Sequence, residues 1–117
     1  MKTIYYAHPI SIYDTPQETR DISLLRSLGL EPVNPNQAEW QEEYKRRGME
    51  FFIEKVRECD GLAFRGLMDG SIPAGIKKEI DKAMDLNFPI IELPTAINRR
   101  SLTLDETREA LLQCGQR

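Results

Sequence analysis

The fold is decided by residues 61–93, which read GLAFRGLMDGSIPAGIKKEIDKAMDLNFPIIEL. The stretch predicts a short buried strand at residues 61–65 and then a loop with two glycines and a proline at residues 66–73. A helix at residues 74–86 and a second strand at residues 88–93 follow. A strand that is followed by a helix and another apolar strand is typical of a unit in which the two strands lie parallel. This stretch therefore indicates a parallel sheet covered by helices.

The rest of the chain continues the same alternation. Further strands are predicted at residues 2–7, where β-branched and aromatic residues read KTIYYA, and at residues 30–33. Helices are expected to begin near residues 16, 38, 74 and 104, and Gly48 marks a break in the second of them. We therefore expect one domain over residues 1–117 with an α/β fold. It is a flavodoxin-like or Rossmann-like doubly wound parallel sheet of about four strands in the order 2-1-3-4.

The composition favours a globular protein that acts on a small molecule. The net charge of −3 over 117 residues argues against nucleic-acid binding, which needs a clustered basic face, although the short pair Arg99-Arg100 could steer an anionic ligand. Cys59 and Cys114 are too few for a disulfide framework or a zinc site, and Cys59 is predicted to be a buried thiol. No metal or other cofactor is expected. No apolar run reaches the roughly 18 residues that a membrane span requires, so we expect a cytoplasmic protein without a membrane partner.

A small-molecule site is expected where the strands end. Ligands of such sheets bind outside the carboxyl ends of the strands, which here are followed by glycine, proline, asparagine and serine. The candidate substrate-binding residues are Pro9, Arg65, Gly66, Asp69, Gly70, Ser71 and Gly75. Several of them supply backbone or hydroxyl donors ahead of a helix N-terminus, which is typical of an anion-binding site. A plain surface loop, which binds nothing, has the same composition. Asp69 either binds a ribose hydroxyl or forms an Asp-Gly turn, and we favour the turn.

One carboxylate lies on the apolar face of its helix. At about 100° per residue, Ile76, Ile80 and Ala83 form one side of the helix over residues 74–86, and Glu79 falls within that side. Because burying an unpaired carboxylate is costly, Glu79 needs a partner or a catalytic purpose. The alternative is a glutamate at the edge of the face that pairs with Lys82.

The order and spacing of these segments resemble the nucleoside 2-deoxyribosyltransferase superfamily, whose relatives include N-glycosidases that cleave nucleoside 5′-monophosphates. Residues 2–7 are similar to the opening strand of the family, and the resemblance places its active-site tyrosine on Tyr5. Residues 59–64 resemble the central strand that begins with an aspartate. Residues 75–83 match a Gly-x-x-x-Glu-[Ile/Leu]-x-x-Ala helix, which implies that Glu79 is the nucleophile.

The sequence departs from the family pattern at three places. An acid that the family often carries eight residues before the central aspartate is Phe52 here, and another, six residues before the nucleophile, is Pro73. The small-residue turn after the first strand has become His8-Pro9-Ile10-Ser11. Trp40, Tyr44 and Phe52 are assigned to the core or to a subunit interface.

The resemblance implies cleavage of an N-glycosidic bond, by a deoxyribosyltransferase or a 5′-monophosphate N-glycosidase. A carboxylate near the anomeric carbon can capture the oxocarbenium-like centre, and the phenol of Tyr5 can hold that carboxylate. His8 has a reference pKa near neutrality, so it is the candidate to protonate the base, to contact a phosphate, or only to cap the strand. A non-catalytic nucleotide-binding module and a plain interaction protein remain as alternatives. Family members usually complete their site with a neighbouring subunit, which implies a homodimer or a larger homo-oligomer.

Overall fold

The computed structural model describes residues 2–94 and 103–113. Its strands are β1 (Lys2–Ala7), β2 (Leu30–Val33), β3 (Gly61–Phe64) and β4 (Ile90–Glu92). Its helices are α1 (Pro16–Ser27), α2 (Ala38–Arg47), α3 (Met49–Arg57), α4 (Ala74–Asp85) and α5 (Leu104–Gln113). Gly48 separates α2 from α3 at the predicted break, and its φ of 71° lies in the left-handed region that glycine tolerates.

The strands form one parallel sheet in the predicted order. The order is β2-β1-β3-β4, so β1 and β3 are central, and Tyr5 lies in register with Val33 on one side and Leu62 on the other. The prediction of a small Rossmann-like α/β domain with strand order 2-1-3-4 is therefore confirmed. This order places the carboxyl ends of β1 and β3 next to each other.

The two faces of the sheet carry separate cores because side chains alternate along a strand. On one face, Tyr5 and Ala7 pack with Leu62 of β3 and with Ile76 and Ala83 of α4. On the opposite face the buried residues are Ile4, Tyr6, Leu25, Ala63 and Leu93. Burial of alternate residues on both faces explains why β1 is continuously apolar from Ile4 to Ala7.

Some details differ from the prediction. The predicted strand over 88–93 is shorter because Pro89 has no backbone N–H, although its carbonyl accepts a hydrogen bond from the Leu62 amide at 3.0 Å. A short 3-10 helix, Ile10–Ile12, follows β1 and was not predicted. Cys59 is a buried free thiol, as predicted, whereas Arg99, Arg100 and Cys114 lie outside the described residues. Within the described ranges, no helix is long and apolar enough to cross a membrane.

Candidate active site

The centre of the site is a buried pair, Tyr5 and Glu79. Glu79 shares the sheet-facing side of α4 with Ile76 and Ala83 and is 5% exposed. Its carboxylate accepts a hydrogen bond from the phenol of Tyr5 on β1. The prediction that these two groups lie within hydrogen-bond reach is confirmed, and the alternative of an edge glutamate paired with Lys82 is wrong.

The environment keeps both groups of this pair in their protonated forms up to unusually high pH. Burial raises the pKa of Glu79 from 4.5 to about 7, although the hydrogen bond from Tyr5 acts in the opposite direction. Burial, and next the charge of Glu79, raise the pKa of Tyr5 well above 10. Near neutral pH, Glu79 therefore exists both as a carboxylic acid and as a carboxylate, while Tyr5 is a hydrogen-bond donor. A group poised in this way suits acid–base or nucleophilic work.

A cleft of about 280 Å³ opens beside this pair at the carboxyl edge of the sheet. This volume is near the lower end of the range typical for small-molecule sites. The ends of β1 and β2 contribute Pro9 and Pro35, and the first turn of α4 contributes Gly75. A Cβ atom on Gly75 would lie 3.3 Å from the sulfur of Met49, so the glycine permits close contact between α3 and α4. The predicted location of the site and the predicted positions of Pro9 and Gly75 agree with this cleft.

His8 lines the cleft, but both of its ring nitrogens bind protein groups. Nδ1 donates to the carbonyl oxygen of Tyr6 at 2.9 Å, and Nε2 lies 2.8 Å from a carboxylate oxygen of Glu18. Burial lowers the pKa of His8, and its hydrogen bonds with Glu18 and with the Tyr6 carbonyl oppose that effect. Contact of His8 with a departing base or a phosphate would require Nε2 to leave Glu18. In this structure His8 instead holds the end of β1 against α1.

Glu18 was not singled out from the sequence, although a local signal for it exists. The stretch Thr15-Pro16-Gln17-Glu18 has the Ser/Thr-x-x-Glu form of a helix capping box, and the Thr15 hydroxyl does accept from the Glu18 amide at 3.4 Å. The Glu18 side chain turns instead to His8 and to the amide of Asn36, which donates to it at 3.2 Å. It thereby connects the ends of β1 and β2.

The loop over residues 66–73 uses several of its predicted donors internally. The Leu67 amide donates to the Ser71 carbonyl at 2.9 Å, and the Gly70 amide donates to the Leu67 carbonyl at 2.8 Å. Asp69 accepts from both the amide and the hydroxyl of Ser71, which is the predicted Asp-Gly turn. Asp69, Gly70 and Ser71 are exposed and do not line the cleft, so the expectation that Gly70 shares a cleft with Tyr5 is wrong.

Arg65 binds other protein groups and does not line the cleft. It is 2% exposed, and its Nε and Nη2 atoms bind both carboxylate oxygens of Asp21 at 2.7 and 2.6 Å. Its Nη1 donates to the Pro94 carbonyl. Arg65 and Gly66 line a second crevice, together with Gln17, that shares no lining residue with the cleft. The predicted substrate contact of Arg65 is therefore replaced by a structural ion pair on the other face of the sheet.

Other residues enter the cleft without having been predicted as site residues. Tyr13 follows the 3-10 helix and lines the cleft. Burial, and next the charge of Glu79, raise the pKa of Tyr13 to about 12, whereas a hydrogen bond with Gln41 lowers it. Tyr44 and Phe52 were assigned to core or interface, yet both line the cleft. A signal was available for Phe52, because the resemblance places a family acid at its position. In the ranges that the structure describes, no cluster of histidine, cysteine, aspartate and glutamate is suited to hold a metal ion.

No family model matches the chain, and no curated protein matches it.

The raised pKa of Glu79 predicts a pH-dependent stability. Between pH 4.5 and about 7 the folded protein holds a proton on Glu79 that the unfolded chain has lost. The contribution of this proton to the free energy of unfolding is therefore complete below pH 4.5 and is lost as the pH rises through about 7. The total change is on the order of 3 kcal/mol. Urea unfolding across this range should show the free energy of unfolding of wild type falling relative to that of Glu79→Gln. A difference that does not change with pH would contradict the buried carboxyl with its raised pKa.

Proposed function

We propose that this protein cleaves the N-glycosidic bond of a nucleoside or nucleotide, as a deoxyribosyltransferase or an N-glycosidase, with Glu79 as the nucleophile. The observation that carries the proposal is the buried Glu79 carboxyl, held by the Tyr5 phenol at the side of a cleft of about 280 Å³. The match of Gly75 and Glu79 to the family helix supports the same assignment.

The proposed reaction has two steps. In the first step a Glu79 carboxylate oxygen bonds to the anomeric carbon while the carbon–nitrogen bond breaks. The electron pair of the broken bond leaves with the base, which takes a proton from solvent or from an acid in the cleft. Water or a second base then attacks the anomeric carbon, loses a proton and releases the Glu79 carboxylate. Tyr5 fixes the orientation of the carboxylate through its hydrogen bond. The hydrolase and the transferase differ only in the group that performs the second step.

A screen of nucleosides and 5′-nucleotides for release of free base tests this function. Because the nucleophile must be ionised, base release should increase with pH through a midpoint near 7, the pKa of Glu79. Tyr5→Phe removes the hydrogen bond that lowers this pKa, so its midpoint should lie at higher pH and its maximal rate should be lower. Absence of base release from every compound, or an unchanged midpoint in Tyr5→Phe, would count against the assigned roles.

A non-catalytic nucleotide-binding module is the second candidate. Phe52 and Pro73 stand where the family carries acids, and both line the cleft, so the site lacks two carboxylates that the resemblance leads one to expect. Such a module would bind nucleotides without releasing a base in the same screen. The alternative of a plain interaction protein gives no reason for the buried Tyr5–Glu79 pair.

A cytoplasmic location and a homodimer or larger homo-oligomer belong to the same proposal. The cleft is small and partly open, and a neighbouring subunit would enclose the ligand further. Light scattering at micromolar concentration tests the assembly, and a monomer there would contradict it.

A further inference from the structure

The cleft brings together two unlike groups of side chains. β1 and α4 contribute the polar pair Tyr5 and Glu79, whereas the end of α2 and the adjoining α3 contribute Tyr44, Met49 and Phe52. The rings of Tyr44 and Phe52 stack at 5.3 Å between centroids with 29° between their planes. Phe52 is 7% exposed, and Tyr44, which lies over it, is 39% exposed. Tyr44 therefore keeps an accessible ring at the same cleft as the Glu79 carboxyl, with Phe52 packed beneath it.

The charges in the cleft limit how a base can be recognised. Among its described lining residues, Glu79 is the only aspartate or glutamate, and neither lysine nor arginine is present. Among those described lining residues, no second carboxylate is therefore available to accept a hydrogen bond from the edge of a base. The amide of Gln41, which also lines the cleft, already donates to the Pro35 carbonyl at 3.1 Å. A base placed against the aromatic rings would gain from contact with its faces, while polar groups on its edge would lose water without gaining a carboxylate partner.

We propose that the Tyr44–Phe52 ring pair is the surface that binds the base, and that the site prefers flat heteroaromatic bases with few polar groups on their edges. This inference rests on the proposed function and names its substrate class. Stacking of a base on an aromatic side chain changes affinity by roughly tenfold or more when the ring is removed. An edge group left without a partner lowers affinity by a similar factor. The gain from stacking and the loss at unpartnered edge groups both favour bases with few polar groups on their edges.

The test compares the binding of two free bases of the same bicyclic shape, benzimidazole and hypoxanthine, by titration calorimetry. Wild type should bind benzimidazole about tenfold more tightly than hypoxanthine, or better. Tyr44→Leu and Phe52→Leu should each weaken benzimidazole binding about tenfold, because both keep an apolar side chain but remove a ring. Phe51→Leu is the matched control: Phe51 packs edge-on against Phe52 but does not line the cleft, so its loss should change both affinities less than the loss of either cleft ring.

The possible outcomes separate this inference from the proposed function. Tighter binding of hypoxanthine, no binding of either base, or equal effects of the Phe51 and cleft substitutions would overturn the inference. Because Tyr44 is partly exposed, Tyr44→Leu tests the inference even if Phe52→Leu does not fold. If the ring variants behave as expected but nucleosides of neither base are cleaved, the binding surface stands and the proposed function fails. If nucleosides are cleaved equally well by Tyr44→Leu and wild type, the function stands and the inference fails.

Discussion

Glu79→Gln should reduce the release of free base by orders of magnitude. The amide keeps the shape of the side chain and can still accept the hydrogen bond from Tyr5, but it carries no negative charge to bond to the anomeric carbon. Binding of the nucleoside should change little, because the other groups that line the cleft are untouched. The measurement is the rate of base release at saturating nucleoside, together with the dissociation constant of the same compound.

A second carboxylate on the same helix provides the control for this prediction. Asp81 is exposed and pairs with Lys77 at 2.6 Å, so Asp81→Asn removes a charge from α4 without touching the cleft. It should leave the rate of base release unchanged. A rate for Glu79→Gln equal to that of wild type would remove Glu79 from the chemistry, and an equal loss in both variants would point to a general charge effect instead.

Asp21→Asn should lower the free energy of unfolding by about 3–5 kcal/mol, because it leaves the buried Arg65 guanidinium without a counter-charge. Asp21 is 1% exposed and Arg65 is 2% exposed. Asp21 also accepts from the phenol of Tyr6 and, at 2.9 Å, from the amide of Gln17. Burial by itself would raise the pKa of Asp21, but hydrogen bonds from Arg65, and next from Tyr6 and Gln17, hold it below its usual value. Urea unfolding at neutral pH gives the measurement.

An exposed ion pair supplies the comparison. Arg26 and Glu31 are paired at 3.4 Å at the surface, so Glu31→Gln should cost less than about 1 kcal/mol. Adding Arg65→Met to Asp21→Asn removes the unpaired charge and should restore part of the loss. If Asp21→Asn were no more destabilising than Glu31→Gln, the Arg65–Asp21 pair would not be the link between β3 and α1 that its geometry indicates.

The fold was predictable because its signals are local. Most of the strands are short, largely apolar runs that lie next to glycine or proline, and each crossover has enough residues for a helix, so parallel pairing follows. Glu79 was predictable for the same reason, since its position on the apolar face depends only on the period of α4. The partner of Glu79 needed the family resemblance as well, because Tyr5 is 74 residues away in the chain.

The remaining parts of the site depend on contacts between distant segments. Nothing near Arg65 in the sequence indicates that its side chain crosses to Asp21, 44 residues away, and the same holds for His8 and Glu18 on different elements. The loop over residues 66–73 looked like an anion site from its glycines, but which amides remain free depends on how the loop folds on itself. Tyr44 and Phe52 have the same apolar spacing whether they fill a core or line a cleft. Only the three-dimensional arrangement distinguishes these cases.

Glu79 is proposed to attack the anomeric carbon. The measurement that tests it most directly is the mass of the protein, quenched in acid during turnover of a cleavable nucleoside and then digested into peptides. We expect a peptide containing Glu79 whose mass has increased by that of one glycosyl group, and no such peptide from Glu79→Gln. A glycosyl group on another side chain, with the Glu79 peptide unmodified, would contradict the claim.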